Sequence, residues 1–340
     1  MTTTSEPEFV RLSEPKWRDT FEDWQIVDVA LVARDCLCLV TRQLVDPEVA
    51  SLGTDYDVPT RMSWLFTNGK RGGMEFSGFA FPKAGACQFP LRQGLMSNKN
   101  REGQVYAAGS GSHDSEYLLP DAGPGNIVSI RRLKRINGWA YAVSMFRKVF
   151  KRVEVGRWQR LSEGLERQPH ETNGLDLGFN DIDGLGDDNL YAVGGKGDVF
   201  HYSGQRWTRC DFPSNRQLYT VTVVPDGTAY ITDGGCGLWA GQHDTWTLLD
   251  KGKASIEYND SVWFNGQLWL CSDYQLHVWD GQQRRRPVWK GQQIVHSGHM
   301  DALDGVLVIA GPGTVHAFDG SDWHELVWPY SDASDSQSPD

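Results

Sequence analysis

LYAVGGKGDVFHYSGQRW, residues 190–207, holds two short apolar stretches, a Gly-rich turn between them, a Ser-Gly turn and a closing tryptophan. Similar segments return as TAYITDGGCGLWAGQHDTW (228–246) and QLWLCSDYQLHVWDGQ (267–282). Apolar residues alternate over four to six positions, which is strand periodicity. The Gly-Gly, Ser-Gly and Asp-Gly pairs between them suit tight hairpin turns.

Aligned on Tyr191, the counterparts Tyr230, Trp269 and Leu307 follow at intervals of 39, 39 and 38 residues. Upstream, GWAYAVS places Tyr141 in the same register and GQVYAAGS places Tyr106 there, while DCLCLV around Cys38 is the faintest copy. The polar stretch SEGLERQPHETNG (162–174) reads as an insertion between copies. A repeat of about 40 residues with four short strands matches one blade of a β-propeller. The expected fold is therefore all-β: a single β-propeller of seven four-stranded blades starting near residues 22, 84, 126, 177, 217, 254 and 294, or six if DCLCLV is not a true blade. Trp158, Trp207, Trp246, Trp289 and Trp323 recur near the start of the expected last strand of their blades, where flat rings fill the wedge between splayed sheets. Residues 1–15 are expected to be a disordered tail, 16–330 the propeller, and 331–340 a disordered acidic tail. Within 16–24, KWRDTFEDW is too apolar for a free tail and is expected to pack against the last blade or lend it a strand.

Residues 181–207, DIDGLGDDNLYAVGGKGDVFHYSGQRW, resemble a bacterial propeller-repeat family. Its pattern is an Asp-Ile/Val-Trp-Gly turn, then Asp-Asp-x-Tyr-Ala-Val-Gly, a Gly-x-Gly turn and a closing Gly-x-x-Trp. Asp183 departs from it, standing where the family has tryptophan, and so does Ser203, standing where it has aspartate. The resemblance implies a closed propeller with no enzymatic activity of its own, serving as a binding platform. Some such bacterial proteins are immunity proteins that plug a cognate toxin.

Composition narrows the setting. The formal net charge of −11 argues against direct nucleic-acid or anionic-membrane binding and admits a partner with a basic surface. Six cysteines without a CxxC pair read as buried thiols of a reducing compartment. With no apolar leader at the N-terminus, the expected location is the cytoplasm.

No motif carries chemistry. Asp181–Asp188 resembles half of a calcium loop, but it lacks the closing glutamate and leads into a strand. His296 and His299 lie on opposite faces of an expected strand, so they cannot share a metal. No catalytic residue, metal or cofactor is expected. A carbohydrate-binding or carbohydrate-active propeller is a competing reading on the strength of fourteen tryptophans, against which stands the absence of sialidase-type Asp boxes. A general scaffold of the WD type is another.

The expected function is protein binding by a propeller that is monomeric when free. In its sharpest form it is an immunity protein covering the active site of a secreted bacterial toxin or effector, with a nuclease as one candidate. The partner is expected to touch loops joining second to third strands: His113 and Asp114, Arg147 and Lys148, Lys196 and Asp198, Asp233, then Asp273 and Tyr274. Reversing Asp233 and Asp273 is expected to weaken binding and spare stability. A second charge feature is the basic run Arg131 to Arg160, ten Lys/Arg against one acid, followed by an acidic run from Glu171 to Asp188. It reads either as a solvated outer strand or as a bipolar docking surface.

Overall fold

The computed structural model describes residues 8–46, 53–99, 102–120, 128–166, 177–252 and 257–330. They form seven blades of four antiparallel strands, spanning 24–76, 84–117, 130–160, 179–209, 218–250, 260–285 and 299–327. Each blade runs in sequence order from its innermost strand at the channel to its outermost, so every blade is completed by its own chain. The antiparallel order defines two ends. The second-to-third-strand loops and the links between blades share one, here the loop end. The first-to-second and third-to-fourth turns share the other, the turn end.

Period-two burial explains the stacking. Each second strand is buried on both faces over most of its length, as in Leu190–Val193 and Val306–Ala310, because each face meets a neighbouring blade. Seven apolar clusters result, one at each seam between blades. Charged clamps reinforce three seams. Arg152 of blade 3 forks onto Glu116 of blade 2, which also accepts the Trp158 indole N–H at 2.8 Å. Arg147 of blade 3 grips Asp198 of blade 4 through two bonds of 2.7 and 2.8 Å. Arg284 of blade 6 reaches Asp250 of blade 5 at 3.0 Å.

Two repeat assignments need correction. Tyr106 lies in the third strand of blade 2 (Gln104–Gly109), one strand outward from Tyr191. A long loop in blade 1 and a short third-to-fourth turn in blade 2 disguise the register. Trp289 belongs to a small extra hairpin, Val288–Trp289 with Gln292–Gln293, inserted between blades 6 and 7. Its indole donates to the Ser321 carbonyl at 3.0 Å, so it fills the blade 7 edge from outside. Trp158, Trp207, Trp246 and Trp323 do lie in the outermost strands of their blades.

The ring closes through the N-terminal segment, which packs on blade 7 without becoming a strand of it. Residues 8–13, which the sequence places in a free tail, run alongside the last strand as a strap. The Phe9 ring stacks on His324 at 4.2 Å, Arg11 pairs with Glu325 at 2.8 Å, and the Leu12 N–H donates to the Leu326 carbonyl at 2.8 Å. The Val10 N–H donates to Thr67 of blade 1 at 2.7 Å, so the strap bridges the 7–1 seam. The helix Glu14–Phe21 follows, started by Pro15, and drives Phe21 into the same seam as Leu12. The expected tails at 1–7 and 331–340 lie outside the described residues.

Burying Leu12 and Phe21 contributes about 2 kcal/mol each. Deleting residues 1–22 should therefore lower the melting temperature by on the order of 5 °C or more. An unchanged melting curve would show that the blade faces alone hold the ring shut.

Candidate functional site

The channel is the first place to look for chemistry, because the first strands line it with charge. Each first strand has an outer edge toward its own blade and a free edge whose N–H groups need acceptors. Aspartates of neighbouring first strands provide them. Asp28 of blade 1 accepts from Ala84 of blade 2 at 3.0 Å. Asp181 and Asp183 of blade 4 accept from Val221 and Val223 of blade 5 at 3.0 and 2.9 Å. Asp260 of blade 6 accepts from Met300 of blade 7 at 3.0 Å, and Asp301 of blade 7 from Leu31 of blade 1 at 2.8 Å. Thus Asp183, where the resembling family has tryptophan, is an inter-blade acceptor, and Asp181–Asp188 is not a calcium loop.

Blade 3 supplies the countercharge. Arg132 crosses to blade 6, binding Asp260 and the Asn259 carbonyl, and its Nε lies 3.4 Å from Asp181. Arg135 crosses to blades 1 and 7, bonding to the Leu31 carbonyl, to Asp301 at 3.1 Å and to the Ala302 carbonyl at 3.1 Å. His299 completes the set, with Nδ1 2.9 Å from Asp260 and 3.5 Å from Asp28. The inward half of the basic run is thus neither a solvated outer strand nor a docking surface: Ile130–Ile136 is an innermost strand, and of its cations Arg131 alone is exposed.

The electrostatics follow from this arrangement. Burial by itself would raise the Asp260 carboxyl, but Arg132 and His299 outweigh it and hold the group well below the usual carboxylate range. Burial would likewise depress His299 and Lys134. Asp28 and Asp260 raise the first instead, and Asp181 and Asp183 raise the second. Burial prevails only at Asp183, pushed up to about 6. The groups pair with one another, although Arg132 Nε and the Asp181 oxygen 3.4 Å from it make no hydrogen bond. Among the described residues no cluster of three or more His, Cys, Asp or Glu is arranged to hold a metal ion. His296 lies in the link ahead of the strand that begins at His299, rather than on that strand as expected, and stacks on His316 at 3.6 Å.

The nine expected contact residues separate into three groups. His113 and Asp114 lie on the outermost strand of blade 2 (Ser112–Tyr117), not on a loop, as a consequence of the Tyr106 displacement. Arg147, Lys148, Asp198 and Asp233 are at the expected loops, but they are buried. Arg147 and Asp198 form the 3–4 clamp. Asp233 accepts the N–H groups of Gly235 and Gly237 at 2.9 Å and the Trp239 indole at 3.0 Å, so it builds its turn from within. Those bonds overcome the effect of burial and hold its carboxyl below the ordinary range. Lys196, Asp273 and Tyr274 are on exposed loops. Gly197 shapes the Lys196 loop: its φ is +72°, and a Cβ there would meet the Ser214 carbonyl at 1.9 Å.

At the loop end, Lys196, Arg209, Phe212 and Arg216 line a groove of about 940 Å³ between blades 4 and 5 that extends to Asp244 of a third-to-fourth turn. What the sequence missed is the aromatic content of this end. Tyr56, Phe81, Phe146 and Trp328 are exposed there together with Tyr274. All four stand outside the strands, where no periodicity marks them.

No protein-family model matches the chain. It is similar to a curated protein described as immune protein Tsi7 of Pseudomonas aeruginosa, with 28% identity over 238 residues, 70% of this chain and 76% of that one. Among solved structures, the WD40 β-propeller domain of Doa1 superposes with a TM-score of 0.58 at 12% identity, covering 85% of this chain and 90% of that one. YCF48 bound to D1 peptide superposes with a TM-score of 0.54 at 15% identity over 98% of both chains. The solved structures agree on the propeller fold. No helix among the described residues is long and apolar enough to cross a membrane.

Two predictions follow from these surroundings. Asp233→Lys should lower stability by about 2–4 kcal/mol, since it strands buried donors, while Asp273→Lys should change it by under about 0.5 kcal/mol. Chemical denaturation of both variants checks this, and equal stabilities would refute the turn-building role. The second concerns acid. Burial lowers His296 to about 4, and burial with the neighbouring His296 lowers His316 to about 3. Below the ordinary value of 6.5 the unfolded chain takes up protons that these rings refuse, so stability is full above pH 6.5 and falls progressively toward pH 4. The melting temperature of a His296→Phe/His316→Phe variant should accordingly drop less between pH 7.5 and 5 than that of the parent. Equal drops would assign the acid sensitivity elsewhere.

Proposed function

We propose that this chain is an immunity protein: it binds a cognate protein toxin and neutralises it by covering the toxin's active site. The observation that carries the reading is the similarity to immune protein Tsi7, which spans three quarters of that protein and is therefore not confined to one repeat. Two features of the structure support it. The propeller is closed, and the charges in its channel are paired with one another, so it suits a rigid platform. The loop end instead offers exposed side chains on loops that differ from blade to blade, where recognition is free to vary over a constant frame. This role requires no chemistry of the chain itself, and neutralisation in the cytoplasm of the producing cell agrees with six free buried thiols. A nuclease is one candidate for the target, since the acid excess of this chain admits a partner of net basic charge whose docking patch is itself apolar.

Where a toxin-like gene stands beside this one, its expression in a heterologous bacterium should arrest growth, and co-expression of this chain should restore it. The purified pair should form a stable complex in which nucleic-acid cleavage is blocked. Failure of rescue together with failure to bind would overturn the immunity reading. Rescue from a toxin of another chemistry would remove only the nuclease.

A further inference from the structure

We infer that the toxin docks on the loop end through an arc of exposed apolar side chains running over blades 6, 7, 1, 2 and 3, and that its complementary surface is an apolar, uncharged patch of a folded protein. This rests on the immunity reading and adds to it the face, the residues and the character of the partner surface.

The arc is where the molecule concentrates its exposed large apolar side chains. Eight of the fifteen among the described residues lie in second-to-third-strand loops, in links between blades outside the extra hairpin, or just after the last strand. Leu44, Val45, Tyr56 and Phe81 form one group over blades 1 and 2. The Tyr56 hydroxyl donates to the Lys99 carbonyl at 2.6 Å, and the Lys99 ammonium lies 4.3 Å from the Phe81 ring centre. Tyr274, Val295 and Trp328 form a second over blades 6 and 7. Asn259 joins Asp273, beside Tyr274, to Gly298 of the link that carries Val295. Trp328 lies 6.0 Å from His316, on which His296 stacks. Phe146 extends the arc to blade 3.

Three observations point to a folded protein as occupant. The first is area. Eight such side chains expose on the order of 800 Å² of mostly apolar surface, about what one partner contributes to a standard stable interface. Spread over five blades, this exceeds what a small ligand covers. The second is charge. Asp55 is already held by Arg42 at 2.8 Å and by the Phe81 N–H at 2.6 Å, and Lys99 lies over a ring of the arc itself. Also at the loop end, Asp57 is held by the Thr54 N–H at 2.6 Å and Asp273 by the Asn259 amide at 2.6 Å, with Asp23 exposed beside Leu44, while the turn end exposes Asp35, Asp188 and Asp304. A basic partner would find carboxylates at the turn end; an apolar one chooses the arc. The third is backbone cost. Phe81 and Phe146 have φ of +44° and +61°, a region that bulky side chains avoid, and both are exposed, by 56% and 40%. Neither ring gains burial that would offset its strain within the free protein. Their place at the loop end matches the tendency of strained residues to gather at binding surfaces.

This strain makes the test selective. Asn tolerates positive φ, so Phe81→Asn and Phe146→Asn should leave the melting temperature unchanged or raise it. Together with Tyr274→Ser they should weaken binding to the purified, catalytically inactivated toxin whose growth arrest this chain relieves by about a hundredfold or more. Binding of the parent should change less than about threefold between 50 and 300 mM salt. Hydrogen exchange of the complex should show protection at 80–82, 145–147, 273–275 and 294–296. Protection confined to 34–35, 187–188 and 304–305, with loss of binding in an Asp35→Asn/Asp188→Asn/Asp304→Asn variant, would overturn the arc in favour of a basic partner at the turn end while leaving immunity intact. Concentration-dependent dimerisation of the free chain that Tyr274→Ser abolishes would make a second copy the occupant and overturn the proposal. Absence of any complex with the parent would instead overturn the immunity reading, and the partner named here with it.

Discussion

The free edges of the seven innermost strands impose the constraint on which the rest depends. A propeller turns those edges toward a narrow channel, where backbone N–H groups must find acceptors. Here aspartates meet the need by reaching from one first strand to the next, at Asp28, Asp181, Asp183, Asp260 and Asp301. Five carboxylates drawn together would repel and would resist burial. Arg132, Lys134 and Arg135, all on one strand of blade 3, and His299 on blade 7 make the arrangement tolerable. Because those arginines bond to blades across the channel, the network ties the ring over its diameter as well as round its circumference. Buried ion pairs contribute little net energy against apolar replacements, yet losing one member leaves an uncompensated charge. Their contribution here is to specify which blades face each other.

That constraint separates the frame from the surface. Charge in the channel is consumed internally, as it is in the seam clamps of Arg147, Arg152 and Arg284. The frame therefore has few groups left with which to select a partner. Selection passes to the loop end, whose loops join neighbouring links only by isolated bridges, such as Met145 with Gly178 and Lys196 with Gln217, and can hold exposed rings without disturbing a blade. The N-terminal strap belongs to the frame: it covers the seam at which the first and last blades meet.

Much of the frame was legible in the chain. Spacings of 38 or 39 residues from Tyr191 to Leu307 located the last four blades, and DCLCLV did prove to be the second strand of a complete first blade. The apolar character of Trp17 and Phe21 pointed to a packed segment ahead of blade 1, although not to its extension back to Phe9. Legibility failed where local spacing was irregular. In blade 2 it displaced Tyr106 by one strand and carried His113 and Asp114 from a loop to an outer edge. Trp289 kept its expected spacing while entering a hairpin outside the ring.

The sequence by itself determined the all-β class, the repeat and the closed ring, because each blade is specified by alternation and turn residues within some forty positions. Only the tertiary structure decided what the charges do. Arg132 meets Asp260 across 128 residues and Arg135 meets Asp301 across 166, and no local pattern encodes a partner on the far side of a channel. It likewise decided that Asp233 is buried in its own turn while Tyr274, in the equivalent loop of the next blade, stands in solvent. Exposure at a loop depends on the neighbouring blades that close over it, and these are brought together only when the ring shuts.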